Sequence, residues 1–399
     1  PFLKLSKRLK HDFKQRISTS HLNQCDIWIQ GASAGESYIT VEVIKKLSKN
    51  LKILATSTTS QGIDILNRYH NDKIITVAMF PFDIPSQIDN FLSKVKPKVI
   101  VLVETELWPA LMIKAKKFNA KVIIINGRIS NKSYGNYMST RWLWRAAPPY
   151  AILATTDINC HRFRSIFPET SIKLVPNIKF DILIKPDSEK QLITSQPSSH
   201  PISIFASIRR EEENEIFKIR PQLLKSFPKQ ANLIFPRHMH RIEKWKKLLS
   251  TLNNLNNLKI TFMLKSEIES IFDIPFKSVI LWDQFGELKQ AYSMATVAFV
   301  GGSLKPLGGH NFIEPLLSGT PTVTGKFIDD FKWVGEKIYN TQYIKKGDNI
   351  ELVKEHMLYF LKNPIDRISV IKGVKNVMKS STGGTKTTSD FINKLCSLK

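Results

Sequence analysis

Cysteine is scarce in this 399-residue chain. Cys25, Cys160 and Cys396 are too few and too scattered to build a disulfide framework or a zinc site. Long apolar runs are also missing. The purely apolar stretches, such as residues 99–103, fall far short of the roughly 18 residues that a membrane-spanning helix requires. No signal peptide is visible, and the chain begins at Pro1 rather than Met. Acidic residues are under-represented, with 34 Asp and Glu against 59 Lys and Arg, and the formal net charge is +25. Such an excess fits three partner classes: nucleic acid, an anionic membrane surface, or phosphorylated ligands. The content is 42% hydrophobic and 23% charged, which excludes a disordered chain, and the length suits about two domains with cores of their own.

Residues 1–17 carry Phe2, Leu5, Leu9, Phe13 and Ile17 at spacings of three and four, with Lys and Arg between them. The pattern predicts a basic amphipathic helix, read either as a core-packing helix with a solvated face or as a membrane-surface helix. From residue 25 short apolar runs alternate with helical patterns. Strands are expected at 26–30, 52–56, 74–78, 98–103, 121–126 and 151–155, with helices at 36–49, 61–69, 84–94, 109–118 and 160–167. The rhythm stops in a polar, proline-rich stretch at 185–201, read as a linker. It restarts with strands at 202–206, 231–235, 259–263, 278–282 and 297–300, and helices at 212–226, 241–249, 287–294 and 311–318. The tract at 252–258, LNNLNNL, reads as a loop. Strands that are apolar throughout and separated by helices imply parallel sheets covered on both faces. The predicted fold is α/β, with two doubly wound domains, 1–190 and 191–399, facing across a cleft. In such sheets ligands bind beyond the carboxyl ends of the strands, which makes the turns there the candidate carriers of chemistry.

Four turns stand out. GASAGES (31–37) follows the first strand and puts Glu36 in the next helix's first turn, where an acid complements the helix dipole or, alternatively, serves as a carboxylate base. It is neither a GxGxxG nor a Walker loop. VETELWPA (103–110) ends another strand. Glu104 and Glu106 point the same way if that strand continues through them, or else they pair with Arg128. PRHMHR (236–241) offers Arg237, whose planar fork suits phosphate, while no carboxylate cluster supports a metal at His238 and His240. GGSLKPLGGHNFIEP (301–315) combines glycines and a helix start, which reads as an anion site made of backbone N–H groups. There Asn311 and Glu314 have the spacing of a capping box, or Glu314 binds the hydroxyls of a ribose. FGEL (285–288) opens a further helix.

Taken together, IWIQGASAGE (27–36), TSTTSQG (56–62), FPFD (80–83), ETELWP (104–109), NGRIS (126–130), NIKFD (177–181), FPRH (235–238), GEL (286–288) and GGHNFIEP (308–315) resemble one family, in its order and over nearly the whole chain. The chain resembles the 3-deoxy-D-manno-octulosonic acid (Kdo) transferases of lipopolysaccharide core assembly. The resemblance implies a GT-B architecture of two Rossmann-like domains, with neither cofactor nor metal. It implies CMP-Kdo as donor, lipid IVA as acceptor, and an inverting transfer. By the same analogy Glu36 is the general base, and Glu104 and Lys179 stabilise the transition state. Pro236, Arg237, Phe285, Gly286, Glu287, Asn311, Phe312, Ile313 and Glu314 hold the CMP portion. The expected location is the cytoplasmic face of a bacterial inner membrane, peripheral or held by an anchor outside this chain. Two alternatives are another GT-B nucleotide-sugar transferase or epimerase, and a basic nucleic-acid-binding protein. The last lacks a recognition module of exposed aromatics among Lys and Arg.

Overall fold

The computed structural model describes residues 13–70, 75–184, 200–255, 261–271 and 273–397. The chain forms two compact units, residues 1–183 with 381–399, and residues 184–380.

The first unit is built on β1 (Ile27–Gly31), β2 (Ile53–Ser57), β3 (Ile75–Met79), β4 (Val99–Val103), β5 (Lys121–Gly127), β6 (Ala151–Ala154) and β7 (Ser171–Leu174). All pair in parallel, in the order β3-β2-β1-β4-β5-β6-β7. Between them run α1 (Ala34–Ile44), α2 (Ser60–Asn67), α3 (Pro85–Val95), α4 (Pro109–Lys117), α5 (Asn131–Ser139), α6 (Arg141–Ala146), α7 (Asp157–Ile166) and, after β7, α8 (Ile178–Leu183). The apolar strands are explained by two separate cores. Ile100 and Leu102 of β4 enter one, with Trp28 and Ile124; Val99, Val101 and Val103 enter the other, with Ile27 and Ile123. Successive side chains of a strand point to opposite faces, so a strand buried on both sides has no polar position to show.

The second unit contains β8 (Ile202–Ile208), β9 (Ala231–Pro236), β10 (Thr261–Leu264), β11 (Ser278–Leu281), β12 (Val297–Val300), β13 (Thr322–Gly325) and β14 (Ile344–Gly347). Their order is β10-β11-β9-β8-β12-β13-β14, again all parallel. The helices are α9 (Glu213–Ser226), α10 (Ile242–Leu255), α11 (Leu288–Tyr292), α12 (Ile313–Leu317), α13 (Ile350–Lys362) and α14 (Arg367–Lys379). The strand order reverses in the middle of each sheet, at β1/β4 and at β8/β12, and in the second sheet β10 and β11 are also exchanged at the edge. That reversal point is where the turns splay apart and ligand sites form.

The structure departs from the sequence expectations in several places. The last helix, α15 (Gly384–Ser397), returns to the first unit, so the second unit ends at 380 rather than 399 and the division falls at 183/184. α15 packs against α1 and α8. Asp181 ties its start down by accepting from the Gly383 and Thr385 N–H groups at 2.7 and 2.6 Å. A Cβ on Gly384 would sit 2.2 Å from the Pro176 carbonyl oxygen, so this close approach requires glycine. The tract expected to loop at 252–258 is helical to Leu255, and 256–258 lie outside the described residues. So do 185–199 of the expected linker and 1–12 of the amphipathic segment. Residues 13–17 are helical. Arg16 donates to the carbonyls of Phe80 (3.0 Å) and Thr58 (2.5 Å), and the Phe13 ring lies 5.5 Å from that of Phe82. α5 and β7 escaped the sequence reading because α5 buries none of its residues fully and β7 is a largely exposed edge strand. No helix among the described residues is long and apolar enough to cross a membrane.

Candidate active site

At the end of β1 the chain turns through Ala32 and Ser33 into α1. Ser33 is the N-cap: its Oγ accepts from the Glu36 N–H at 3.3 Å and donates to Glu36 Oε1 at 2.8 Å. Glu36 Oε2 accepts from the Ala32 N–H at 2.7 Å. The first-turn reading of Glu36 is therefore correct as local structure, and it also fixes the carboxylate in place. Each carboxylate oxygen has two acceptor sites, so both retain one for a substrate proton. A Cβ on Gly31 would come within 3.1 Å of Glu36 Cβ, so the smallness of this turn lets strand and helix meet. Burial pushes the Glu36 carboxyl above the ordinary range; the Ala32 N–H opposes this, and the charge of Glu104 adds to it.

β4 ends at Val103, and Glu104 has φ of 62°, in the left-handed region. The expected continuation of the strand through Glu104 and Glu106 therefore does not occur. The bend sends Glu104 into a paired arrangement: Lys179 Nζ lies 2.6 Å from its Oε1 and Arg128 Nε lies 2.8 Å from its Oε2. Glu106 Oε2 instead accepts from the Trp108 indole N–H at 3.0 Å. Burial, and after it the Glu36 charge, pushes the Glu106 carboxyl up to about 7. Three carboxylates and two cations thus share the turns beyond the carboxyl ends of β1, β4 and β5 and the first turn of α8.

The remaining motifs of this unit support those five groups. Asn126, at φ 51°, accepts from the Ile178 N–H at 2.9 Å, and Asn177 accepts from the Lys179 N–H at 3.0 Å. These bonds hold Lys179 over Glu104. Asp83 accepts from the Ala110 and Leu111 N–H groups at 2.9 and 2.8 Å and so caps α4, where Pro109 stands at the first helical position. The Phe80 and Trp108 rings lie 4.9 Å apart. FPFD accordingly braces the turn that ETELWP forms.

In the second unit the GGS turn after β12 does not hold a free anion site. Its N–H groups are used by the chain itself: Glu212, fully buried, accepts from Gly302 (2.6 Å), Ser303 (2.9 Å), Leu304 (2.9 Å) and Arg209 (3.1 Å). Arg237 follows β9, its N–H donating to the Ile208 carbonyl at 2.9 Å. Arg237, Arg209 and His238 are near enough to His310 that, after burial, they are what drives it down to about 4. This places a basic cluster at the carboxyl ends of β8 and β9 and in the turn that follows β12.

The other residues expected to hold a nucleotide are distributed unevenly. Phe285 is exposed at 83% and Gly286 sits at φ 97°. Glu287 is the N-cap of α11, with Lys265 Nζ 4.0 Å from its carboxylate. Asn311 Oδ1 accepts from the Ile313 N–H at 3.2 Å, an Asx-type turn, and Phe312 takes the N-cap place, so the expected capping box is not the motif formed. Glu314 stands in the first turn of α12, pushed up by burial and opposed by Lys289. Pro236, Phe312 and Ile313 are buried, with Phe312 packed on Phe331 and Tyr339. They can offer a ligand only backbone groups. His238 and His240 stack on each other, and among the described residues no cluster of three or more His, Cys, Asp or Glu could hold a metal ion. The sequence reading missed Arg209, Glu212 and His310 as individual residues. The strand-end rule that found Arg237 applies equally to Arg209; Glu212 gives no local signal, because the turn it fills lies 90 residues away.

A family profile described as 3-deoxy-D-manno-octulosonic-acid transferase (kdotransferase) matches residues 5–182. A bifunctional glycosyltransferase/methyltransferase of Fusobacterium nucleatum is 30% identical over 366 residues, covering 88% of this chain and 55% of that protein, so the chain spans about half its length. The 3-deoxy-D-manno-octulosonic acid transferase of Haemophilus influenzae is 31% identical over 354 residues, covering 83% of this chain and 79% of that protein. Among solved structures, a glycosyltransferase of Rickettsia africae matches with a TM-score of 0.58 at 12% identity, over 95% of this chain and all of that one. That likeness shows the fold, two Rossmann-like domains of GT-B type.

Proposed function

Because the chain belongs to the 3-deoxy-D-manno-octulosonic acid (Kdo) transferase family, we propose that it is an inverting glycosyltransferase that moves Kdo from CMP-Kdo to lipid IVA in lipopolysaccharide synthesis. The observation that carries this reading is the state of Glu36. Its carboxylate is immobilised by Ala32 and Ser33, made more basic by burial and by Glu104, and still has lone pairs to offer. Those are the needs of a general base that takes the acceptor hydroxyl's proton as the oxygen attacks the anomeric carbon. As the new C–O bond forms, the bond from that carbon to the phosphate oxygen breaks, and negative charge grows on the departing CMP.

The other charges fit the same division of labour. Glu104 carries two cations, Lys179 and Arg128, so that trio retains a net positive charge next to the base. Fixed groups of that kind stabilise developing negative charge without having to reorganise. In the second unit, Arg237 and the basic residues around it suit the donor's phosphate, while Phe285, in the turn after β11, and Glu314, in the first turn of α12, suit its nucleoside. On this reading the enzyme works at the cytoplasmic face of a bacterial inner membrane, and the +25 charge draws it to anionic lipid.

The test is direct. Incubation with CMP-Kdo and lipid IVA, with products weighed by mass spectrometry, is expected to show added Kdo. Glu36→Gln, which keeps the local shape, is expected to lower the rate by at least about 100-fold, as loss of a general base does. Full activity in that variant would remove Glu36 from the role. Thermal protection by CMP but not UDP is the expected ligand signature. The reverse preference would favour another nucleotide-sugar transferase or epimerase.

A further inference from the structure

β8, β9 and β12 are neighbours in the sheet, and the chain beyond their ends carries Arg209, then Arg237 and His238, then His310. His310 differs from the rest of this group. Its Nε2 is buried and has no hydrogen-bond partner among the described residues. A buried polar atom left in that state costs free energy unless something else meets it. The imidazole lies directly on Gly302: a Cβ there would come within 2.9 Å of His310 Cδ2 and 3.0 Å of its Nε2. Gly302 also holds φ of 70° and accepts from the Gly309 N–H at 2.8 Å. The turn is therefore shaped around the ring.

The charges facing His310 are lopsided. Arg209 and Arg237 are near it, with His238 beside them. Of the acids on the same turns, Glu212 is committed to four backbone N–H groups, Glu211 faces His238, and Asp330 lies against Gly308. Among the described residues, the cluster thus has no uncommitted acid at its centre. Each titration consequence points the same way: His310 is held down to about 4 by burial and by its cationic neighbours, in that order.

We infer that His310 is a phosphate-binding residue whose imidazole gains one proton from solvent as a phosphate ester enters, and then donates a charge-assisted hydrogen bond from Nε2 to a phosphate oxygen. This rests on the reading of the second unit as the nucleotide side, and goes beyond it in naming the contact and the proton. A phosphate monoester carries close to two negative charges near neutral pH and reverses the field of the two arginines at the ring. Binding and protonation are then linked: whatever raises the affinity of His310 for a proton is also favoured by that proton. Outside the resting site this matters most for CMP, the product, whose extra negative charge over the diester donor would be met by the imidazolium.

The experiment is calorimetric titration of the whole chain with CMP at pH 6.5, in two buffers of different ionisation heat, so that the dependence of the binding heat on the buffer counts protons. Cytidine, which lacks the phosphate, is the control, and His310→Gln is the variant. The wild-type chain is expected to take up at least about half a proton more than the variant on binding CMP, and no more than the variant on binding cytidine. Loss of one charge-assisted bond is expected to weaken CMP binding by about tenfold at pH 6.5, and by much less at pH 8.5, where protonation competes poorly. His310→Asn, a smaller ring replacement over Gly302, carries the same comparison if the glutamine does not fit. Equal proton counts in the wild-type chain and both variants overturn the inference while leaving the nucleotide reading intact. Failure of the wild-type chain to bind CMP at all overturns that reading, and this inference with it.

Discussion

Glu212 allows a prediction whose size can be worked from the structure. Its carboxylate is fully buried and accepts from four backbone N–H groups, three of them in the GGS turn after β12. Glu212→Ala strands all four donors. At the low end of about 1 kcal/mol for each unsatisfied buried N–H, the loss is about 4 kcal/mol, offset in part by no longer burying a charge. Glu212→Gln keeps the volume but turns an NH2 toward donors, so most of the loss remains. A domain has only about 5–15 kcal/mol to lose, and the expected outcome is a second unit near the edge of unfolding beside an unchanged first unit. Urea titration gives the total. Hydrogen exchange read by mass spectrometry locates it: the amides of Gly302, Ser303 and Leu304 should lose protection, and peptides from β1 to β5 should not. A variant whose unfolding free energy in urea stays within about 1 kcal/mol of the parent's, with the turn still protected, would refute the assignment of Glu212 as the group that holds this loop.

Three further outcomes are expected. Glu106 is pushed up to about 7, chiefly by burial. Between the ordinary carboxylate range and that value the folded chain keeps a proton that the unfolded chain has lost, so its contribution to stability is full at low pH and disappears as pH rises through about 7. Glu106→Gln should therefore flatten the fall in urea midpoint between pH 5 and pH 8; an unaltered slope counts against it. Lys179→Met leaves Glu104 with Arg128 alone, and the rate of Kdo transfer should drop by about 100-fold with the fold retained by circular dichroism. Asp83→Ala uncaps α4, which should cost about 1–2 kcal/mol in thermal or urea unfolding and loosen the turn that holds Glu104 and Glu106.

Local features were legible because their causes are local. β4 was readable as five apolar residues in a row, since both its faces are covered. The turn at 31–37 was readable because its small residues directly follow an apolar strand and Glu36 falls in the next helix's first turn; that Ser33 and Glu36 bond to each other came only with the structure. α5 was not readable, since it is polar and buries nothing fully, and the capping box expected from Asn311 and Glu314 gave way to an Asx-type turn led by Phe312.

The amino-acid sequence by itself determined two α/β halves, the strand-end turns that carry Glu36, Glu104 and Arg237, and a resemblance that named the chemistry. Hydrophobic period and turn residues encode such things within a few positions of one another. Only the tertiary structure decided what those turns meet. Lys179 reaches Glu104 across 75 residues of chain, Glu212 fills the GGS turn across 90, and α15 crosses back to the first unit to be held by Asp181. These partnerships follow from the order of strands in each sheet, and strand order is set by how whole faces pack, which no short stretch of sequence records.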